Sequence, residues 1–289
     1  MIRTRRRATG NFARICARSR SGLFCIHFWI QNWHAAVALA LSPQDFRRLE
    51  PYLPRGMVPG AADSLLERAA GQLARMVLTQ EIHPGQKVPM DGIAAAIGAS
   101  RTPVREALRL LETDGLVCQL PNRGFIVRRL EPDETEELYG ARRCLETFVI
   151  DEAMRRSDET FLRSLRRLHA MYERVLGGPA DRRRLGMLVD KAFHLRIAEQ
   201  AQNAYLRGLL ANIFDRLILT RPIEGFPIHR TPIAVAEHGA MLAAIESGIT
   251  KAARQSMVRN IDNGRAAIVQ HLRGIRQFLH EHTEEEEQR

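Results

Sequence analysis

From residue 62 onward, apolar positions recur mostly at helical spacing. Within 62–80, Leu65, Leu66, Ala69, Leu73, Met76 and Val77 fall on one stripe and predict a first helix. Ile82-His83-Pro84-Gly85-Gln86-Lys87-Val88 then reads as a turn and a short strand. Ile93 to Ile97 is a short apolar helix closed by Gly98-Ala99. The next helix is capped by Ser100 or Thr102 and carries Pro103 in its first turn, where a missing N–H costs nothing. Val104, Leu108 and Leu111 lie at i, i+4 and i+7 and face a core, and Gly115, which accepts positive φ, ends the helix. Arg101, Arg105 and Arg109 share a different stripe. Beyond them the period shortens. Leu116 to Leu120 and Phe125 to Arg128 read as strands joined by the turn Pro121-Asn122-Arg123-Gly124.

A short helix, a glycine turn, a second helix with early arginines and a hairpin together make a winged helix-turn-helix. The second helix enters the major groove, where residues near its N-terminus reach base edges. Arg123 at the hairpin tip reaches phosphate or minor groove. An ordinary surface helix with solvated arginines is the plain alternative for the helix taken alone, and the hairpin weighs against it.

Strand alternation is absent after residue 132. Leu130-Glu131-Pro132-Asp133 marks a junction, with Pro132 suited to a first helical position and acids in the following turn. Six helices are predicted, at 133–155, 158–176, 181–201, 204–219, 232–247 and 250–281. The expected fold is mostly α: an N-terminal winged helix-turn-helix over 57–130, an antiparallel six-helix bundle over 131–282 for effector binding and dimerisation, and a solvated acidic tail over 283–289.

Charge changes the picture at the N-terminus. The net charge is +10, yet residues 1–56 hold ten Arg/Lys against two acids, 57–130 hold nine against seven, and 131–289 hold twenty-four of each. The excess therefore lies in the first segment, and the DNA argument rests on where the arginines sit. Residues 1–56 begin basic, run apolar from Leu23 to Leu41 and end that run with Ala38-Leu39-Ala40, in the manner of a signal peptide. His27, Gln31, Asn32 and His34 interrupt the apolar run, and a span wants about 20 consecutive apolar residues. The expectation is a disordered basic extension or a start placed too far upstream, with Met57 as the true start and no contribution to either core. Cys16, Cys25, Cys118 and Cys144 are widely spaced, form no Cys-x-x-Cys pair and suit a reducing compartment.

The bundle carries candidate chemistry. Asp190 and His194, four apart, share a helix face, and Glu237-His238 sits mid-helix. A carboxylate and two imidazoles from facing helices can hold a divalent metal. A chance Asp–His pairing among ten histidines is the plain alternative.

The run Ser100-Arg-Thr-Pro-Val-Arg-Glu-Ala-Leu-Arg-Leu-Leu-Glu112, with Asp114-Gly-Leu-Val117 and Pro121-Asn-Arg-Gly124, resembles the winged helix of GntR-family transcription regulators. Asp190-Lys-Ala-Phe-His194, Ala201-Gln-Asn203 and Glu237-His238 resemble the C-terminal FCD ligand-binding domain of the FadR-type branch, and six helices suggest its VanR-like subgroup. The resemblance implies DNA contacts from Ser100, Arg101, Thr102, Arg105, Asn122, Arg123 and Gly124. It also implies one zinc or nickel ion per subunit on Asp190, His194 and His238, with a fourth histidine where this chain has Asn260. An amide oxygen is a poorer donor to such ions than imidazole. Arg142 matches an arginine beside the effector pocket, positioned to pair with a carboxylate; a surface ion pair with Glu146 is its alternative use. A second departure is Pro89-Met90-Asp91-Gly92, where relatives often begin the second helix with Ser/Glu-x-Glu. The implied protein is a cytoplasmic, homodimeric regulator that binds a double-stranded operator under control of a small organic or sugar acid, without stable membrane association. The rival readings are a metal-dependent hydrolase using Asp190, His194 and His238, which lacks a His-Glu-x-x-His signature, and a regulator anchored in a membrane by residues 22–41.

Overall fold

The structure is a computed structural model that describes residues 43–53, 64–78, 81–121, 124–178, 185–220 and 230–287. A short helix α1 (Pro43–Leu49) and a 3-10 turn (Glu50–Tyr52) precede the two domains.

The first domain packs α2 (Leu65–Leu78) across α3 (Met90–Ile97) and α4 (Arg101–Thr113). Ala69, Leu73, Met76 and Val77 of α2 meet Val104, Ala107, Leu108 and Leu111 of α4 in one buried cluster. Gly98 ends α3 at φ +65° and Gly115 follows α4 at φ +77°, the left-handed values that let both helices stop sharply. Ser100, in extended backbone, takes the cap position of α4, although its hydroxyl makes no capping bond. β1 (Val117–Leu120) and β2 (Gly124–Val127) pair antiparallel, with Val117 opposite Val127. The expected short strand contributes one bridge, Lys87 to Ile126, which closes the sheet on the helices. Asn122 and Arg123 lie outside the described residues.

The second domain holds six helices among the described residues: α5 (Pro132–Arg155), α6 (Glu159–Leu176), α7 (Gly186–Gln200), α8 (Ala204–Ile218), α9 (Arg230–Glu246) and α10 (Thr250–Glu287). Pro132 and the acids Asp133 and Glu134 open α5. Asp158 accepts a bond from the Phe161 amide at 2.7 Å, and Asn203 accepts one from Leu206 at 3.0 Å, so both caps lie where the sequence breaks. α7 is the central helix. It packs on α5, α6 and α8 and is buried on almost every side. A helix covered all round has no amphipathic stripe to read.

Two expectations change here. Residues 43–53 are folded, with Leu49 only 1% exposed and packed in the core with Tyr52, against the expectation that all of 1–56 contributes nothing. The reason is local: Leu49 and Tyr52 lie three apart and drop together onto α7. The remainder of that extension, residues 1–42, and the apolar run 22–41 lie outside the described residues. Secondly, α10 continues to Glu287, so the acids from Glu284 to Glu287 extend a helix rather than form a separate tail. Glutamate is a good helix former, which permits the extension.

Candidate functional site

Two sites follow from this architecture, one on the winged helix and one inside the bundle. On the first, Arg101, Thr102, Arg105 and Arg109 on the outer face of α4 and Gln119 and Gly124 of the hairpin line one open groove. Arg101 is held at its Nε by Asp91 of α3 at 2.8 Å, so the residue at the departing helix start orients the first arginine. Ser100 stands at the cap position of the same end.

In the bundle, α5 contributes Tyr139, Arg142 and Glu146, α7 contributes Asp190 and His194, α8 contributes Phe214, and α9 contributes His238. Arg142, Glu146, His194 and His238 are all at most 3% exposed. Arg142 Nε donates to Glu146, one turn along the same helix. His194 Nδ1 lies 2.5 Å from Glu146 Oε2, and Arg142 Nη2 lies 3.0 Å from His194 Nε2. With the proton on Nδ1, His194 donates to Glu146 and accepts from Arg142, which satisfies all three groups. The guanidinium also lies over the Phe214 ring at 4.4 Å. Burial alone would push the Glu146 carboxyl up, but Arg142 and His194 outweigh it and hold it below the usual carboxylate range. The Arg142–Glu146 pair that was the alternative use of Arg142 therefore exists, but in the core and tied to His194 rather than on the surface.

His238 Nε2 faces Asp190 Oδ1 at 2.9 Å, and the His238 ring stacks on Tyr172 with centroids 4.5 Å apart. Burial pushes the His238 imidazole below its ordinary value, against the pull of Asp190, so the ring is held towards its neutral, ligating form. Among the described residues, neither nitrogen of that buried ring makes a hydrogen bond of good geometry. Donor atoms of Asp190, His194 and His238 all lie within 4.8 Å of one another. Two ligands bonded at about 2.0–2.1 Å to one ion sit roughly 3 Å apart, so the Asp190–His238 spacing fits a shared ion. Glu146 behind His194 is the carboxylate that a ligating imidazole ordinarily leans on. The residues present therefore fit a divalent metal once Arg142 Nη2 turns away from His194 Nε2, the nitrogen of that ring left to ligate while Nδ1 holds Glu146. Asn260 turns its amide nitrogen to Glu237 Oε2 at 3.4 Å, and Asn263 donates to Glu237 Oε1 at 2.8 Å.

One turn of α8 joins the two sites. Phe214 touches the Arg142 guanidinium and the His194 ring. Its neighbours face the other way: Asp215 Oδ1 takes Lys191 Nζ at 2.5 Å, Asn212 donates to the Asp114 carbonyl at 3.2 Å, and Arg216 pairs with Glu134. Glu134 also holds Arg128, just past the wing, at 2.9 Å. A Cβ at Gly115 would sit 3.0 Å from Arg216 Nε, so this glycine also allows the close approach of the domains. Sequence reading missed Phe214, Lys191 and Asp215. Lysine and aspartate within apolar runs were the available signal, since such groups are seldom buried without a partner.

A winged helix joined through its recognition helix to a helical domain is the build of a DNA-binding transcription regulator. Residues 65–127 match the model of the bacterial regulatory proteins of the gntR family, and residues 137–263 match the FCD domain. The chain belongs to the GntR family and is a regulator of the FCD type. The Nta operon transcriptional regulator of Aminobacter aminovorans is 30% identical over 149 residues, covering 52% of this chain and 70% of that protein. The gluconate operon transcriptional repressor of Bacillus subtilis is 28% identical over 147 residues, covering 50% and 59%. A solved GntR regulator of Rhodococcus sp. RHA1 superposes with a TM-score of 0.62 at 23% identity, covering 71% of this chain and 97% of that one, and shares the fold. The relatives named are regulators, not hydrolases. Among the described residues no helix is long and apolar enough to cross a membrane.

Proposed function

We propose that the chain is a cytoplasmic, homodimeric regulator whose operator affinity is set by a small organic or sugar acid bound in the FCD domain. The observation that carries this reading is Arg142, a buried cation whose partner is an internal carboxylate. Glu146 occupies the place that an effector carboxylate takes when it enters, and Arg142 can pair bidentately with either. The relative named for a gluconate operon supports the acid class. For dimerisation, Phe148 of α5 and Tyr205 and Leu209 of α8 are 54%, 88% and 55% exposed, on helices that pack together. Large exposed apolar side chains on two packed helices suit a two-fold contact.

At the operator, Ser100, Arg101, Thr102 and Arg105 read the major groove, while Asn122, Arg123 and Gly124 of the wing hold the backbone or minor groove. Arg105→Ala is expected to weaken operator binding by roughly 1–3 kcal/mol and to relax specificity at one base pair. Gel-shift titrations at fixed salt on operators substituted at single positions check this. Unchanged affinity and unchanged base preference would remove Arg105 from the contact set.

Asp190, His194 and His238 would hold one zinc or nickel ion, which would supply positive charge for a bound acid. Asn260, which stands where relatives carry a fourth histidine, offers only an amide oxygen, so the ion would be held loosely. Titration calorimetry of zinc and nickel into the full chain tests the site. His194→Ala should abolish binding, and Asn260→His should tighten it, because a neutral imidazole replaces an amide. If neither wild type nor Asn260→His binds metal, the cluster is a polar lining and Arg142 alone takes the acid. A thermal-shift screen of organic acids, with and without these metals, then distinguishes the two modes, since a specific ligand raises the melting temperature.

A further inference from the structure

Residues 43–53 lie before both matched domains, and the bundle receives them at a built seat. Leu49 and Tyr52 are buried against α7. Asp45, 8% exposed, pairs with Arg174 of α6 at 2.7 Å. Tyr52 Oη donates to Glu199 of α7 at 2.9 Å. Arg207 of α8 donates to the Pro51 carbonyl at 2.7 Å and to Glu199 at 3.0 Å. Three bundle helices thus grip a segment too short to hold a helix in water by itself, since isolated helices below about 12 residues are marginal.

The seat has a consequence for the DNA-binding domain. Residues 54–63 are all that separates Leu53 from Ser64 at the head of α2, at most about 40 Å of chain. On its other side the same domain runs into α5 through Leu130-Glu131-Pro132. Arg207 of α8 meets the segment, while Asn212 and Arg216, further along the same helix, meet the Asp114-Gly115 corner of the recognition helix. We propose that residues 43–53 are a docking arm that seats on α6, α7 and α8 and tethers the winged domain from its N-terminal side, as a second anchor beside the Leu130–Pro132 junction. A domain tethered at both ends loses less orientational freedom when two copies engage an operator, so the arm favours DNA binding.

Hydrogen exchange, thermal melting and operator titration on the full chain test the arm. In the wild type the amides of residues 47–50, 52 and 53 should be protected. The double variant Leu49→Ser/Tyr52→Ala should lose that protection, melt about 5 °C lower or more, and bind operator several-fold more weakly at fixed salt. Asp45→Arg should act in the same direction, and Arg174→Asp added to it should restore protection, because the pair is then reversed rather than broken. Wild-type amides that exchange as fast as unstructured chain, or melting unchanged in the double variant, would overturn the docking. Lost protection and lower melting with operator affinity unchanged would overturn the tether and leave the arm as a support of the bundle.

Discussion

Arg142→Met is expected to destabilise the FCD domain by about 3–5 kcal/mol, the range for removing one partner of a buried ion pair. The cost comes from what stays behind. Glu146 is 0% exposed and, among the described residues, keeps only His194 as a hydrogen-bond partner once the guanidinium is gone. In the wild type the Glu146 carboxyl lies below its ordinary range, so it contributes stability that is complete above its unfolded value and fades as pH falls through the lower folded value. Without Arg142 the sign reverses. Burial then pushes the carboxyl up, and the variant should recover part of its deficit as pH falls and the group protonates. Thermal melts at pH 7.5 and pH 5 measure both effects. The Arg142→Met/Glu146→Leu double variant removes the orphaned charge and should melt well above the single variant, yet bind no organic acid. A single variant as stable as wild type at pH 7.5 would show that the pair does not carry the core as described.

Lys191→Met is expected to cost about 3 kcal/mol, the lower end of the same range, because the Asp215 side chain keeps 17% of its exposure and can recruit water. Its second effect concerns signalling. Lys191 stands next to Asp190 on α7 and anchors Asp215 on α8, beside Phe214 on the site and Arg216 on the domain junction. Burial pushes the Asp215 carboxyl up, Lys191 opposes this, and Asp114 at the end of the recognition helix adds to the rise. The pair thus sits where a shift of α7 reaches the DNA-binding domain. Lys191→Met should flatten the change in operator affinity caused by zinc or by a bound organic acid. Lys191→Met/Asp215→Leu should regain stability without regaining that response. If the double variant responds as wild type does, coupling runs through Phe214 and Arg216 without the ion pair.

The contrast between the two ends of the chain shows what the pattern of residues could convey. The winged helix was legible because each part carries its own local signal: Pro103 in a first turn, Gly98 and Gly115 at positive φ, and alternation on either side of Pro121-Asn-Arg-Gly124. The arm at residues 43–53 carried no such signal. Its helix is seven residues long, follows a basic and apolar run, and is stable only where Leu49 and Tyr52 meet α7. Asp190, His194 and His238 were readable from an i, i+4 pair and an apolar helix, and the structure brings their donor atoms within 4.8 Å of one another. Glu146 was visible as the partner of Arg142, but the neighbourhood of His194, fifty-two positions from Arg142 in the chain, was not.

The sequence by itself determined the helices, their caps and breaks, the wing, and the residue types available for recognition, because these follow from backbone sterics and from periodicities of two and 3.6. Only the tertiary structure decided that Arg142 and Glu146 are buried, that Phe214 and Arg216 place the site and the domain junction on opposite faces of one turn, and that an arm before the first domain is seated on the bundle. Those outcomes depend on which side chains meet across helices distant in the chain. Burial turns such meetings into large energies, and no local pattern encodes them.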